Sequence, residues 1–144
     1  TGLVLYPKNK EAEKVLFKMT QQRKIKKLYH ATLSIKPDLP DCLRVKDKLS
    51  FLKKAKVSHD GKPSHTLFLK HNHDGCVDNV TYSAIIFTGR RHQIRAHAAY
   101  YLSPIRGDSF YGSKELLPDA ALELKAVGLN FSYKNKRYRF RLKK

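Results

Sequence analysis

The segment Thr88–His97 reads TGRRHQIRAH and holds three arginines, two histidines and no acidic residue. Arg91 and Arg95 are four residues apart, so on a helix one would lie a turn above the other. Like charges at that spacing destabilise a helix by about 0.2–0.5 kcal/mol. We therefore expect a negatively charged group to face these arginines.

The overall charge points to the same kind of partner. The 144 residues include 30 Lys and Arg against 12 Asp and Glu, which gives a net charge of +18. Folding does not need this excess, which opposes a compact state by self-repulsion. Nucleic acid is the leading partner, because every nucleotide carries a phosphate. An anionic membrane surface is the alternative, but the sequence shows no basic amphipathic helix of the interfacial kind.

The acidic residues are unevenly spread along the chain. None lies between Glu13 and Asp38, between Asp78 and Asp108, or after Glu123. A single basic run is most simply a solvated face, whereas three separate acid-free basic stretches favour a nucleic-acid surface.

Hydrophobic periodicity predicts both helices and strands. Helices are expected at about residues 9–23 and at Arg90–Leu102, the latter with Ile94, Ala98 and Tyr101 facing inward. Strands are expected at Gly2–Tyr6, Lys24–Ile35, Thr66–Leu69, Val80–Thr88, Leu122–Tyr133 and Arg137–Leu142, whereas Cys42–Lys56 shows no clear period. This pattern predicts one α+β domain over residues 1–144, with a mixed, largely antiparallel sheet and a few helices.

Five segments, in this order along the chain, resemble the motifs of RluA-type pseudouridine synthases. Thr1–Leu5 is similar to the end of the RLDxxTSGLLL motif, and Lys26–Ala31 is similar to KxYxA. Gly61–Thr66 resembles GKxAxT, Thr88–His97 matches TGRxHQIRxH, and Pro104–Gly112 matches PIxGDxxYG. The five segments span almost the whole chain, which makes the resemblance specific.

The resemblance implies a pseudouridine synthase catalytic-domain fold and isomerisation of uridine to pseudouridine in structured rRNA or tRNA, without a cofactor or metal. In that family one Asp carries the chemistry, four positions before the residue that matches Thr1. We therefore expect the chain to be the larger, C-terminal part of a catalytic domain that is incomplete at its N-terminus and inactive alone.

The same resemblance implies roles for two residues. Arg95 matches the arginine that pairs with the catalytic Asp, and Tyr29 matches the tyrosine that stacks on the target base. Burial raises the pKa of a carboxyl group and an opposing cation lowers it. Arginine suits that task because it stays charged and can pair in a planar, bidentate way. A flipped base needs an aromatic platform such as the Tyr29 ring.

The remaining basic side chains of the motifs are expected to contact RNA. These are Arg90, Arg91, His92, Arg106, Lys26 and Lys27. For Asp108 we expect a structural role rather than a catalytic one, in which it fixes the loop around it by accepting backbone hydrogen bonds.

Cysteines and hydropathy suggest the compartment. Cys42 and Cys76 make no disulfide framework, which favours a reducing environment. No apolar run reaches the length of a membrane span, and no signal peptide is visible. His71, His73 and Cys76 lack a fourth ligand at a familiar spacing, so a polar loop is favoured over a metal site. We expect a monomer in the cytoplasm, with the bacterial cytoplasm favoured and an organelle or the nucleus as alternatives. Its expected partner is RNA, with no membrane or metal partner.

A second hypothesis is a non-catalytic RNA-binding relative, for instance a ribosome-associated factor whose parent lacks the Asp. The codons just upstream of Thr1 discriminate the two, because an Asp four residues before Thr1 supports the enzyme.

Overall fold

The computed structural model describes residues 2–34, 38–71 and 79–142 of the chain. In chain order the elements are α1 (Lys10–Gln21), β1 (Lys26–Ser34), β2 (Cys42–Phe51), β3 (Ala55–Val57), β4 (Lys62–Lys70), β5 (Asn79–Ile86), α2 (Gln93–Tyr101), β6 (Leu124–Tyr133) and β7 (Lys136–Arg141). Two short 3₁₀ turns, Ser109–Tyr111 and Pro118–Ala120, lie between α2 and β6.

The seven strands form one sheet in the order β3-β2-β4-β5-β1-β6-β7. Every pair of neighbouring strands is antiparallel. The strand expected at Val80–Thr88 is β5 at the centre of the sheet, and the expected hairpin around Lys134–Lys136 joins β6 to β7. The predicted α+β class with a largely antiparallel sheet is confirmed.

The sheet has one face that is covered and one that is open. On the covered face, Ala31 and Leu33 of β1 pack with Ile94, Ala98 and Leu102, which belong to α2 and the residue after it. Tyr29 lies on the same face, as the alternation along β1 predicts. The opposite side chains of β1, Leu28, His30 and Thr32, belong to the open face.

A second apolar cluster joins α1 to the β6–β7 end of the covered face. Met19 is buried there against Leu129 and Phe131, and Leu3 and Leu5 pack beside them. The Asn9 side chain caps α1 by accepting a hydrogen bond from the backbone N–H of Ala12 at 2.8 Å. The helix expected at about residues 9–23 is therefore confirmed.

The expectation of a buried strand at Gly2–Tyr6 is wrong. Only Gly2 forms a bridge, with Ala126 of β6, and the side chains of Val4 and Tyr6 are 70% and 80% exposed. The apolar run lies along the edge of a cluster, so that only its alternate residues, Leu3 and Leu5, contact the protein.

The region left unassigned, Cys42–Lys56, contains β2 and β3. In β2 the side chains of Val45 and Leu49 are buried on the covered face, and Asp47 occupies the inward position between them. The Asp47 carboxylate accepts a hydrogen bond from the Tyr101 hydroxyl. Because Asp47 occupies an inward position, polar and apolar residues do not alternate regularly along β2. The partner that holds its carboxylate there lies 54 residues away and cannot be recognised from local spacing.

Helix α2 begins three residues later than the sequence pattern predicts. Arg91 therefore precedes the helix, and it does not lie one turn from Arg95. Ile94 and Ala98 are buried as expected, but the expectation for Tyr101 is wrong, because its side chain is 39% exposed. Its hydroxyl is held by Asp47, and Leu102 takes the buried position instead.

Candidate active site

A buried glutamine ties the start of α2 to β4 and to the residue Thr88 just after β5. The Gln93 side-chain oxygen accepts hydrogen bonds from the Thr88 hydroxyl at 2.6 Å and the Arg90 backbone N–H at 3.1 Å. Its Nε2 donates to the His65 carbonyl and to the Thr66 hydroxyl, each at 2.9 Å. Every hydrogen-bonding atom of this buried amide is thus used, which fixes the loop before α2 against β4.

One turn along α2, the fully buried His97 continues this network. Ser64 donates to the Asp47 carbonyl, so its oxygen accepts from Nε2 of His97 at 2.9 Å. The Thr66 hydroxyl accepts from Gln93 and so donates to Nδ1 of His97 at 2.8 Å. Burial lowers the pKa of His97 to about 4, which matches an imidazole that is neutral in this arrangement.

The network links the segment Gly61–Thr66 to the segment Thr88–His97 by hydrogen bonds. Residues of the first segment accept or donate the hydrogen bonds of Gln93 and His97 in the second. Sequence analysis did not single out these two residues. Their spacing of four within a helix that is otherwise apolar inward was the signal that could have found them.

Arg95 projects from α2 to a carboxylate of its own chain. Its Nε donates to Oδ2 of Asp108 at 2.8 Å, and its Nη2 donates to Oδ1 at 2.7 Å. The two hydrogen bonds make the pair bidentate. Because the Asp108 side chain is 1% exposed, the pair is also largely withdrawn from water. The hydrogen bond to Asp108 raises the pKa of Arg95 above its usual value.

Asp108 accepts backbone hydrogen bonds that fix its loop, as expected, but it does so through its carbonyl. Its carboxylate accepts from the Arg95 guanidinium, whereas its backbone carbonyl accepts from the N–H groups of Tyr111 and Ser113. The loop is fixed by the backbone of Asp108, and this leaves its side chain to hold Arg95.

Histidine and aromatic rings surround the remaining edge of Arg95. Its Nη1 lies 3.2 Å from Nε2 of His92, which must accept because arginine only donates. Nδ1 of His92 therefore carries the proton and donates to the Tyr111 hydroxyl oxygen at 3.2 Å. Burial and then the charges of Arg95 and Arg91 lower the pKa of His92. The Tyr111 ring centre lies 4.8 Å from Cζ of Arg95.

Tyr29 lies at the middle of the sheet between two small residues. It pairs with Ala84 of β5 and with Ala126 of β6, next to a bulge in the β1–β6 pairing. Its ring is partly buried, and burial raises the pKa of its phenol. Among the described residues, no hydrogen bond joins its hydroxyl to Arg95.

The N-terminal segment runs beside the strand that neighbours Tyr29. Gly2 bridges Ala126 in parallel, and the Leu3 N–H donates to the Ala126 carbonyl at 2.8 Å. Gly2 has a φ of +106°, and a Cβ there would lie 2.2 Å from the Ala126 oxygen. Only glycine fits this close approach.

The expected RNA contacts occupy different environments. Arg91 is exposed, with its guanidinium 4.5 Å from the centre of the Phe51 ring. Arg90 donates through Nε to the Pro63 carbonyl at 3.1 Å. Lys26 and Lys27 are successive residues of β1 and so point to opposite faces.

Arg106 differs from the other expected RNA contacts because its charge is compensated. Its Nε lies 2.5 Å from Glu115, and its Nη1 lies 3.3 Å from Glu123. Two carboxylates make this guanidinium a poor ligand for a phosphate, so we no longer expect it to contact RNA.

The described residues show neither a metal-binding cluster nor a membrane helix. Among them, no group of three His, Cys, Asp or Glu side chains could hold a metal ion. His73 and Cys76 lie outside the described residues. None of the described helices is long and apolar enough to cross a membrane.

Comparison with known proteins places these motifs in context. Residues 1–100 match a family model described as RNA pseudouridylate synthase. The chain is 34% identical to the dual-specificity RNA pseudouridine synthase RluA of Vibrio parahaemolyticus, over 91% of the chain and 56% of that protein. It is 29% identical to the ribosomal large subunit pseudouridine synthase C of Escherichia coli, over 90% of the chain and 41% of that protein.

The fold is similar to that of solved structures. Human RNA pseudouridylate synthase domain containing 1 superposes with a TM-score of 0.80 at 20% identity, over 95% of the chain and 62% of that structure. Human RNA pseudouridylate synthase domain containing 4 gives 0.73 at 18% identity, over 94% of the chain and 64% of that structure. The chain spans about half the length of the curated relatives it matches.

Proposed function

Since the chain belongs to the RNA pseudouridylate synthase family, we propose that it forms part of an enzyme that isomerises uridine to pseudouridine in structured RNA. The observation that carries this proposal is the bidentate pair that joins Arg95 of the Thr88–His97 motif to Asp108 of the Pro104–Gly112 motif. This ion pair fixes the orientation of the Arg95 guanidinium, and one edge of that guanidinium is directed away from Asp108.

That edge suits a second carboxylate. Asp108 uses Nε–H and one N–H of Nη2, and His92 accepts from Nη1. One N–H remains on each of Nη1 and Nη2, which is the donor pair that a carboxylate binds. We propose that this carboxylate is the Asp of the family's RLD segment, four positions before the residue at Thr1. Arg95 would keep it ionised in a pocket closed over a base.

Tyr29 supplies the second part of the proposed site. Its ring is a platform on which a flipped uracil can stack, and such stacking contributes about 1–3 kcal/mol per base. Burial raises its pKa, so the phenol keeps its proton at neutral pH and can donate it.

The reaction rearranges bonds within one nucleotide. The N1–C1′ bond breaks, the uracil turns, and C5 is joined to C1′. The proton displaced from C5 leaves, and N1 gains one, so no electrons are exchanged with a second reactant. We propose that the enzyme acts as a cytoplasmic monomer on rRNA or tRNA without metal or cofactor. The names of its relatives support RNA as the substrate, and one of them names the ribosomal large subunit.

The test uses a protein in which this chain follows an RLD segment. Arg95→Lys should lower the rate of pseudouridine formation by at least about 100-fold, the scale of one lost electrostatic stabiliser. Its affinity for RNA should stay close to that of the parent, because lysine keeps the charge but not the fork. Arg91→Lys is the matched control, and it should lower the rate much less.

Two results would contradict the proposal. Near-normal pseudouridine yield from Arg95→Lys would remove Arg95 from the site. A coding sequence without Asp four residues before Thr1, together with RNA binding, would favour the non-catalytic RNA-binding relative. Tyr29 is tested in parallel, because Tyr29→Ala should lose more activity than Tyr29→Phe if the ring is the platform.

A further inference from the structure

The open face of the sheet carries an ordered arrangement of positive charge. One row of paired residues crosses six strands without interruption, from β2 through β4, β5, β1 and β6 to β7. It consists of Arg44, Leu67, Ile85, Leu28, Gly128 and Arg141. An arginine thus stands at each end of an apolar strip.

The neighbouring residues of β2 and β7 repeat this pattern. β2 directs Arg44, Lys46 and Lys48 to the open face, and β7 directs Arg137, Arg139 and Arg141 there. We call these two groups the basic rims. Since β2 and β7 are five strand positions apart, the rims are separated by about 24 Å at about 4.8 Å per step.

The rims lack acidic partners, unlike Lys70, Arg95, Arg106 and Lys134, each of which pairs with a carboxylate. All six side chains are exposed, and among the described residues none forms an ion pair. No strand position on the open face holds a carboxylate. At the end of β1 the Ser34 hydroxyl donates to Glu115, whose carboxylate is already paired with Arg106.

Between the rims lies a recessed strip that is apolar and partly aromatic. Leu28, Leu67 and Ile85 are only partly exposed, and the His65 ring stacks on Phe87 with centres 4.3 Å apart. Gly128 leaves a hollow of about 290 Å³ beside Leu28, bordered by Arg139 and Arg141. A Cβ at Gly128 would lie 3.0 Å from Cβ of Leu28 and would narrow the hollow.

We propose that the open face is a second RNA-binding surface, on which the basic rims contact phosphates and the strip between them contacts bases. This inference rests on the proposed function for its choice of RNA. A surface that spans about 24 Å with a cation at each end of a row suits a chain that carries one phosphate per nucleotide. A sheet with exposed aromatic positions is also a surface on which unpaired bases stack.

An anionic membrane fits the open face less well. Interfacial proteins insert projecting apolar side chains into the boundary of the acyl chains. On the open face the apolar side chains are recessed between longer basic ones. The most exposed aromatic ring among the described residues of this face, that of Phe87, is 43% exposed and stacked on His65.

The test compares two variants of the 144-residue chain with equal net charge. The rim variant carries Arg44→Gln, Lys46→Gln, Arg139→Gln and Arg141→Gln. The control carries Lys8→Gln, Lys10→Gln, Lys14→Gln and Lys18→Gln, all at exposed positions in or just before α1. Each loses four of the 18 net positive charges, which leaves +14. Circular dichroism verifies that both fold.

The probe is an rRNA hairpin with a single-stranded flank, titrated at several salt concentrations. The rim variant should lose about 3–4 units of the slope of log affinity against log salt, roughly one for each lost phosphate contact. The control should lose less than about one unit. Ultraviolet cross-linking should place bound RNA on peptides of β1 and β4.

Equal salt slopes for the rim and control variants would overturn the proposal. So would binding to phosphatidylserine vesicles that depends on the rims while RNA binding does not. Failure of the proposed function is distinguishable, because it appears as absent pseudouridine formation by the protein that includes the RLD segment and intact rims. A retained difference in slope would then still support the RNA-binding surface.

Discussion

Two pairs of arginines, one pair on each side of the sheet, have opposite surroundings. Arg95 and Arg106, on the side of α2 and the loop that follows it, each contact carboxylates of their own chain. Arg139 and Arg141, on the open face, have no such partner among the described residues. All four residues belong to basic stretches of the sequence, so residue type and local charge do not distinguish a structural arginine from one free to bind a phosphate.

The difference follows from solvation. A charge that leaves water must be paired or it destabilises the fold, whereas an exposed charge needs no partner. Arg95 is held beside a carboxylate that is 1% exposed, and the rim arginines remain in water. The unpaired cations therefore stay available for a partner outside the chain.

The largest effect on stability is expected at the buried pair. Asp108→Asn keeps the shape of the side chain but leaves Arg95 without a counter-charge, so the free energy of unfolding should fall by about 3 kcal/mol. Urea denaturation measures it. Glu123→Gln is the control, because its carboxylate is 34% exposed and should contribute less than about 1 kcal/mol. Equal losses for the two variants would mean that burial does not separate these ion pairs.

A pH-dependent loss of stability is expected from His97, a buried residue of α2. Its pKa is lowered from 6.5 to about 4 in the folded protein, so the unfolded state binds the proton more readily between these values. Stability should therefore decrease as the pH falls from about 6.5 to 4, by up to about 3 kcal/mol, and change no further from this group below that range.

Two substitutions isolate the contribution of His97. His97→Asn should flatten the decrease in the free energy of unfolding between pH 6.5 and 4. Ser64→Ala removes one hydrogen-bond partner of His97 without removing a titrating group, so it should lower stability but keep the slope. An unchanged slope in His97→Asn would assign the pH dependence to other groups.

A smaller effect is expected at Arg106, which is paired but partly exposed. Arg106→Gln should lower the free energy of unfolding by about 1 kcal/mol, since its two carboxylates are accessible to water. Because its charge is already compensated, the salt slope of RNA binding should be unchanged. A drop of a full unit in that slope would return Arg106 to the set of phosphate contacts.

The smallest effect on stability is expected at the rims. Arg141→Gln should change the free energy of unfolding by less than about 0.5 kcal/mol, because the side chain is exposed and unpaired. The same variant should lower the salt slope of RNA binding by about one unit. Arg106→Gln should therefore have the larger effect on the free energy of unfolding, and Arg141→Gln the larger effect on the salt slope of RNA binding.

Local patterns predicted the elements whose burial follows one period. Helix α1, strand β1 and the β6–β7 hairpin lie close to the expected boundaries, because their apolar residues repeat at 3.6 or 2 residues. Strand β2 was missed where Asp47 interrupts the alternation, and Gly2–Tyr6 was mistaken for a strand because its apolar run only borders a cluster. Both errors concern contacts made with residues far along the chain.

The candidate site was predictable in its members and not in its pairings. The motif resemblance identified Arg95, Tyr29 and Asp108, and the structure places all three on the covered side of the sheet or the loop beside it. It did not indicate that Arg95 is paired with Asp108, or that Gln93 and His97 form a buried network with β4. The roles of Arg95 and Tyr29 in catalysis stay predictions.

The charge, the alternation along each strand and the motifs of the family can be read from the amino-acid sequence, since all three depend on residue identity and on spacing over a few positions. Which cations are neutralised within the chain and which stand unpaired depends on the three-dimensional fold. The order of the strands places β2 and β7 about 24 Å apart with their basic residues on one face, and the loop after α2 brings Asp108 to Arg95. A charge is compensated by its neighbours in space, and folding chooses those neighbours from distant parts of the chain.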